Sequence, residues 1–315
     1  KNYKVFNIDK ISKVLTSEKF KKKINKNYYF FKQNLLNESK LKKTIFKIKP
    51  DIILNLAAES HVDRSIDEPK FFIINNISSS LNLFKVLRRY YKYNKKIKIF
   101  HFSTDEVYGS NNNKIFSEKS IYNPSSPYAA SKGSSDLVAN SFFETYNLPM
   151  TIFHISNNYG PFQFIEKFIP KIITNYLNDK NIPIYGNGLN IREWLYVKDT
   201  CIAIEKAFKS NIKNERYNIG SGKRFKNIFL TKLIIRILKN KFKIKSKSKI
   251  LYVKDRPGHD FRYAINSKKF YNKVNWKPKK TIVSGLEETI SWYLDNKKWL
   301  RNSKKKYNGK RQGSV

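Results

Sequence analysis

Apolar residues along this chain fall into short runs separated by longer amphipathic stretches. Val5-Phe6-Asn7-Ile8-Asp9 reads as a strand that ends on an acid, and Tyr28-Tyr29-Phe30-Phe31-Lys32 as a second strand. A polar break at Asn34 comes before helical spacing over 38–47, and Pro50 leads into a buried strand at 51–56. Residues 69–93 carry apolar side chains at helical spacing, 97–102 form the next strand, and Pro127 opens a helix over 128–146 at its first turn. Residues 150–155 are strand again. Alternation of this kind predicts a parallel sheet covered on both faces, with ligands at the carboxyl ends of the strands. After about residue 160 the rhythm loosens, as Pro161, Pro170, Pro183, Gly186, Gly188, Gly220 and Gly222 punctuate shorter elements. The expected architecture is α/β: a Rossmann-like doubly wound domain over 1–160, and a smaller lobe over 161–315 laid on the ligand edge, with room for a return to the sheet near 217–219.

Composition changes this picture little. Lys and Arg number 64 against 24 Asp and Glu, a formal charge of +40, and the first meaning of such an excess is a polyanion partner. Yet only 11 of the 64 are Arg, and the basic residues are spread among abundant Asn, Ile, Tyr and Phe, the types AT-rich DNA encodes. The excess therefore reads as compositional drift, and its densest stretches, 19–26, 239–249 and 304–311, as solvated faces or frayed ends. Binding of nucleic acid stands as a rival reading. Hydrophobic residues at 40% and aromatic ones at 15% argue against disorder. Cys201 is the one cysteine, which rules out an intramolecular disulfide and points to a reducing, cytoplasmic setting. No apolar run approaches the roughly 20 residues that span a bilayer. The chain starts at Lys1 rather than Met, so the expectation is that the amino-terminal end of a longer protein is missing.

Candidate chemistry gathers at the predicted strand ends. Asp9 stands where a dinucleotide fold places an acid for the ribose hydroxyls, and as a bare turn-former it would mean little. The Gly-rich turn that cradles a pyrophosphate does not come before it; about thirty residues carrying that turn and a first strand are expected to be missing. Ser103-Thr104-Asp105-Glu106-Val107-Tyr108-Gly109 follows the strand at 97–102. Two adjacent carboxyls and a hydroxyl there suit general acid and base work, provided their surroundings separate their pKa values. Further on, Tyr128-Ala129-Ala130-Ser131-Lys132 puts Tyr128 and Lys132 on one helix face, where the ammonium favours the phenolate. His61 and His101 read as packed or hydrogen-bonded side chains, and no His, Cys, Asp or Glu spacing suggests a metal.

Together these motifs resemble the dTDP-glucose 4,6-dehydratases of the extended short-chain dehydrogenase/reductase superfamily. The likeness runs from Asp9 to about Trp299 and includes Leu56-Ala57-Ala58-Glu59-Ser60-His61-Val62-Asp63-Arg64-Ser65, Ser156-Asn157-Asn158-Tyr159-Gly160-Pro161, Arg192-Glu193-Trp194-Leu195-Tyr196-Val197 and Asp255-Arg256-Pro257-Gly258-His259-Asp260. Tyr-x-x-x-Lys is common to the superfamily. The Asp-Glu pair after Thr is what sets these dehydratases apart from sugar-nucleotide epimerases and decarboxylases.

The resemblance implies NAD as cofactor, a lyase reaction on dTDP-glucose in deoxysugar (rhamnose-type) biosynthesis, and a homodimer through the helices at 69–93 and 128–146. It implies Thr104, Asp105, Glu106, Tyr128 and Lys132 as the catalytic set. Around NAD it places Asp9, Asn34, Leu35, Leu56, Ala57, Ala58, Asn75 and Asn158 beside Tyr128 and Lys132. Around the sugar nucleotide it places Ser60, Thr104, Asn157, Lys167, Phe168, Pro183, Tyr185, Arg192, Asn227, Arg256 and His259. A guanidinium forks onto phosphate oxygens and a Lys meets them as a point charge, which suits Arg192 and Lys167 to a diphosphate. Asn34 and Asn75 stand where the family usually has Asp and Thr, and Ser78, Ser79 and Ser80 where it has small apolar residues. A truncated, inactive remnant of such an enzyme is the alternative.

Overall fold

The computed structural model describes residues 3–11, 26–110, 113–307 and 313. Residues 19–25 of the first basic stretch and 308–311 of the tail lie outside the described residues. Eleven strands appear among them: β1 Val5–Asp9, β2 Tyr28–Lys32, β3 Ile52–Asn55, β4 Lys98–Thr104, β5 Thr151–Ile155, β6 Asn157–Tyr159, β7 Ile182–Tyr185, β8 Ile191–Tyr196, β9 Arg216–Ile219, β10 Arg224–Lys226 and β11 Ile250–Val253. The strands expected from apolar runs form within one or two residues of their expected ends, the usual uncertainty of such boundaries.

At the centre lies a four-stranded, wholly parallel sheet in the order β3-β4-β5-β9. β4 is buried along nearly its whole length, because helices cover both faces of the sheet. On one face the helices Glu38–Ile48, Ser79–Tyr91 and Pro127–Tyr146 press Leu41, Phe84, Leu87 and Phe142 onto Ile97, Ile99 and Ile152. On the other, Val197–Lys209 and Lys268–Val274 bury Ala203, Ala207 and Phe270 against Phe100, Phe102, Phe153 and Tyr217. This is a doubly wound α/β sheet. β1 and β2 form a separate parallel pair, Val5 opposite Tyr28 and Asp9 opposite Lys32.

The remaining core is built from later residues. Helices Phe168–Tyr176, Asn227–Asn240 and Ile282–Asp295 pack Ile169, Ile173, Leu230, Ile234, Leu286 and Ile290 against Ile182, Ile184 and Trp194. Two small sheets, β10-β8-β6 and the parallel pair β7-β11, carry this lobe's side of the cleft. The chain crosses between the two cores more than once, since β9 and the helix Val197–Lys209 belong to the central sheet. No helix among the described residues is long and apolar enough to cross a membrane.

The stretch 69–93, read as one amphipathic segment, is helical but interrupted. Pro69–Ile73 and Ser79–Tyr91 are joined by a π-helical turn, Ile74–Ser78. The wider turn carries two asparagines inward, and Asn76 uses both ends of its amide: Oδ1 accepts from Glu59 N at 2.8 Å, and Nδ2 donates to Glu59 O at 3.0 Å and Ser131 Oγ at 2.8 Å. One side chain thus ties the loop after β3 to the helix that carries Lys132. Within the sheet, Phe153 is fully buried between Phe100, Phe102, Tyr217 and Phe270. Phe153→Ala is expected to cost about 3–5 kcal/mol, read as a lower urea midpoint with the slope unchanged.

Candidate active site

A cleft of about 1070 Å³ opens at the carboxyl ends of β3, β4 and β5 and is closed from the other side by β7, β8 and residues of the 256–263 segment. β4 ends on Thr104, whose hydroxyl caps the short 3₁₀ turn Asp105–Tyr108 by accepting from Glu106 N at 3.3 Å. Gly109 must end that turn: its φ is +76°, and a Cβ there would come within 2.1 Å of Asn123 O. Across the cleft floor runs the helix Pro127–Tyr146. Ser126 caps it by accepting from Ala129 N at 3.2 Å, Pro127 fills a first-turn position, and Tyr128 N donates to Ser65 Oγ at 3.0 Å. Small residues on its buried face, Ala129, Ser131, Gly133 and Ser135, let it lie close to the sheet.

The catalytic candidates converge. Thr104, Asp105, Glu106, Tyr128 and Lys132 are all buried and all line the cleft. Thr104 Oγ1 lies 3.3 Å from Asp105 Oδ1 and also hydrogen-bonds the Tyr128 phenol, and Lys132 Nζ donates to Phe102 O at 2.6 Å. The two carboxyls face unlike surroundings. Burial, then Glu106 and Glu193, push Asp105 well above the ordinary range, and Arg192 and the Thr104 hydroxyl draw it back. Burial raises Glu106 too, but Arg256, Arg192 and Lys167 all pull it down. Burial also raises the Tyr128 phenol, helped by the carboxyls of Glu106 and Asp105. The expectation that the neighbouring ammonium favours the phenolate is therefore outweighed in this state: Lys132 spends its hydrogen bond on Phe102 O, and desolvation dominates.

The substrate candidates Ser60, Asn157, Lys167, Phe168, Pro183, Tyr185, Arg192, Asn227, Arg256 and His259 line the same cleft. Lys167 donates to Ser60 O, and Arg192, buried, donates to Asp260 O at 2.8 Å and lies 4.1 Å from the centre of the Tyr263 ring. Arg256 pairs with Asp63, which also accepts from Tyr185 OH at 2.8 Å. His259 Nδ1 lies 2.6 Å from Asp255 Oδ1, and burial brings its ring down to about 4. Several buried polar atoms on the cleft wall have no protein partner: Asp105 Oδ2, Asn157 Oδ1, Trp194 Nε1, Asn227 Oδ1 and Arg256 Nε. Unpaired groups of this kind are costly unless a ligand or water meets them.

The cofactor candidates divide. Leu56, Ala58, Tyr128, Lys132 and Asn158 line the cleft, whereas Asp9, Asn34, Leu35, Ala57 and Asn75 do not. Asp9 Oδ1 accepts from Ile11 N at 2.5 Å and Asn34 Oδ1 from Leu36 N at 3.0 Å, so both hold turns. Leu35 packs against the Leu41 core, Ala57 is exposed, and Asn75 accepts from Lys10 Nζ at 2.6 Å. Lys10 also pairs with Glu59 at 2.9 Å. Asp63, Asn76, Tyr263 and Lys10 did not stand out in the sequence. Asp63 and Arg256 are 193 residues apart, and Tyr263 reaches Glu106 157 residues away at 3.3 Å as well as its near neighbour Asp260 at 2.7 Å, so no local spacing signals these contacts. His61 caps the helix Val62–Asp67, and His101 meets Asn55 at 2.9 Å, the packed and bonded roles expected of them.

Because Gly109 combines a left-handed φ with a backbone oxygen in the way, Gly109→Ala is expected to destabilise by about 1–3 kcal/mol, measured by chemical denaturation.

Comparison with known proteins agrees with this geometry. The sequence profile of the family described as GDP-mannose 4,6 dehydratase matches residues 1–289. The chain is 38% identical to the dTDP-glucose 4,6-dehydratase of Neisseria meningitidis serogroup B over 95% of its length and 88% of the relative's. It is 41% identical to dTDP-glucose 4,6-dehydratase 1 of Escherichia coli K12, with the same coverage. The solved dTDP-glucose 4,6-dehydratase of Bacillus anthracis in complex with NAD superposes with a TM-score of 0.85 at 37% identity, covering 96% of this chain and 91% of that one. A UDP-glucose 4-epimerase of Thermotoga maritima shares the fold at a TM-score of 0.83, but at 26% identity, over 93% of this chain and 92% of that one. The chain belongs to the GDP-mannose 4,6-dehydratase family and, within it, to the dTDP-glucose 4,6-dehydratases.

Proposed function

We propose that this chain is a hydro-lyase that converts dTDP-glucose to dTDP-4-keto-6-deoxyglucose with NAD as a resident cofactor, a step in deoxysugar biosynthesis. The observation that carries the reading is the Asp105–Glu106 pair behind Thr104, buried in one cleft with Tyr128, in which Arg256, Arg192 and Lys167 draw Glu106 down while Glu106 and Glu193 push Asp105 up. Elimination of water beside a carbonyl needs a base at one carbon and an acid at the next, and unlike surroundings let two carboxyls take those two roles.

The cleft fits the cofactor at its β3–β5 end. Leu56 and Ala58 leave the end of β3 uncovered, the Ser156 hydroxyl is buried without a protein partner, and Asn158, Tyr128 and Lys132 stand around it. When bound there, NAD supplies a hydride acceptor for carbon 4 and a hydride donor for carbon 6. Tyr128 takes the proton of the sugar's 4-hydroxyl while Thr104 holds the oxygen. Glu106 removes the proton at carbon 5, acidified by the new ketone, and Asp105 protonates the departing 6-hydroxyl. Arg192, Arg256 and Lys167 meet the diphosphate, and Asn157, Asn227 and His259 meet sugar and phosphate oxygens. Phe168, Pro183 and Tyr185 flank the base, and Ser60 closes the rim.

In the same proposal residues 1–160 mainly hold NAD and 161–315 mainly the sugar nucleotide. Two chains pair through the helices at 69–91 and 127–146, whose outward faces leave Phe71, Ile73, Leu81 and Leu137 exposed. The lone cysteine supports a cytoplasmic setting.

Incubation with dTDP-glucose and NAD should release the 4-keto-6-deoxy product, with one solvent deuteron at carbon 5 in D₂O; no ketone from dTDP-glucose refutes the reading. Glu106→Gln should lower kcat by about 10²–10⁴-fold and suppress exchange at carbon 5 while transient oxidation at carbon 4 persists. The pH dependence has a definite sign. Glu106 must be ionised and its carboxyl is raised, so kcat falls as pH drops through a value above the ordinary glutamate range. Asp105 must be protonated and is raised further, so activity is lost again on the alkaline side as it ionises. A rate that is level from acid to neutral pH would contradict this pairing of roles.

A further inference from the structure

Beneath Tyr128 and Lys132 lies a polar cluster that does not reach the cleft wall except through Ser103. Its centre is Asp136, fully buried, one turn beyond Lys132 on the same helix. Asp136 Oδ2 accepts from Ser103 Oγ at 2.6 Å and Tyr122 OH at 3.1 Å and lies 3.3 Å from His154 Nε2, while Oδ1 lies 3.2 Å from His101 Nε2. Asn55 fixes one ring: its Nδ2 donates to His101 Nδ1 at 2.9 Å, which leaves a neutral His101 protonated at Nε2, close to Asp136 Oδ1 but outside hydrogen-bond geometry. Tyr108 OH donates to Asn218 Oδ1 at 2.9 Å, and the His154 ring lies between two phenols, its Nδ1 3.1 Å from Tyr108 OH and its Nε2 2.7 Å from Tyr122 OH.

Burial pushes the Asp136 carboxyl up, yet His101 and His154 hold it far below the usual carboxylate range. A buried acid surrounded by donors in this way is an anion, and a buried anion is costly without a positive partner. Lys132 has the matching need. Its Nζ is buried, Phe102 O is its hydrogen-bond partner, and no carboxylate stands within ion-pair distance of it among the described residues. Desolvation pulls its ammonium below the ordinary range, and Asp136 is the charge that raises it.

We propose that Asp136 is a positioning residue: its carboxylate is the counter-charge that keeps Lys132 protonated beside Tyr128, while His101, His154, Ser103 and Tyr122 keep that carboxylate ionised and in place. This rests on Tyr128 and Lys132 being the acid–base pair of the proposed reaction. The groups around them come from every packed element: Glu106, Asp105 and Thr104 face Tyr128 from the β4 turn, and His101 and His154 face Asp136 from β4 and β5. Tyr122 carries the influence of Arg216 from β9, 5.4 Å from its ring, and Glu118 acts on Tyr108.

The test is a cycle of four proteins, wild type, Asp136→Asn, Lys132→Met and the double variant, followed by thermal unfolding. Asn keeps the shape and removes the charge. If Asp136 serves Lys132, the melting temperature lost to Asp136→Asn should be at most half as large in the Lys132→Met background; an equal loss in both overturns the proposal. Should Asp136→Asn alone fail to fold, recovery of a folded double variant supports the proposal, and an equal failure overturns it. This cycle does not need turnover, so an inactive wild type would refute the dehydratase reading without touching it. In an active wild type, the single-turnover appearance of reduced nicotinamide isolates the first proton and hydride transfer. Its alkaline limb should move down by about one pH unit in Asp136→Asn, a tenfold change in the protonation equilibrium of Lys132; a limb that stays in place while the overall rate falls means that Asp136 is only structural.

Discussion

Two adjacent carboxyl groups cannot both be taken out of water and both stay charged without a large penalty, and the rest of this site is arranged around that constraint. Asp105 and Glu106 follow each other in one 3₁₀ turn, so their side chains leave the backbone about 120° apart, and both end buried. What separates them comes from elsewhere. Arg192, Arg256 and Lys167, the cations that draw Glu106 down, all stand after residue 160, on the far wall of the cleft. In the proposed reaction the later residues would therefore do more than hold a nucleotide: without their charges the two acids would lose much of the difference that suits one to donate a proton and the other to accept one. Binding of an anionic diphosphate to the same cations would weaken their pull on Glu106 and make it a stronger base at the time a base is needed.

The parts of this arrangement that could be read from the sequence are those with a local signature. Apolar runs mark β3, β4 and β5 because a parallel sheet is covered on both sides and leaves no alternation to confuse with a surface strand. Pro127 after Ser126 marks the start of the helix that carries Tyr128 and Lys132, and Gly109 marks the end of the acidic turn for a steric reason visible in the structure. Three features were not legible. The π turn at Ile74–Ser78 leaves the helical spacing of apolar residues almost undisturbed while turning Asn76 inward. Asp136 looks like a solvent-facing acid in a helix of small residues, and only the approach of β4 and β5 turns it into a buried centre. The Asp63–Arg256 pair depends on the way the 256–263 segment folds back over the helix Val62–Asp67, which no spacing in the chain encodes.

The charge of +40 looks different once the cleft is seen. The cations that matter electrostatically to the buried acids are few, and two of the three are arginines although arginine is rare in this chain. At a solvated position lysine and arginine serve alike. They do not where a planar fork must stack and bond in fixed directions, as Arg192 does between Asp260 O and the Tyr263 ring. The scarcity of arginine thus makes its buried positions more informative than the net charge.

Tyr128 poses the last physical question, because burial and two acids raise its phenol rather than lower it. A raised phenol is seldom ionised at rest, but its anion is a stronger base, closer in strength to the alkoxide of a sugar hydroxyl. In the proposed reaction only the ionised fraction of Tyr128 would take the 4-hydroxyl proton, and that transfer would be drawn forward by loss of hydride from carbon 4 to bound NAD. The Lys132 ammonium can then act at the moment when the phenol's proton balance changes, provided it is still charged in that dry site. That condition is met by a carboxylate one turn away on the same helix, held ionised by two histidines from the sheet below.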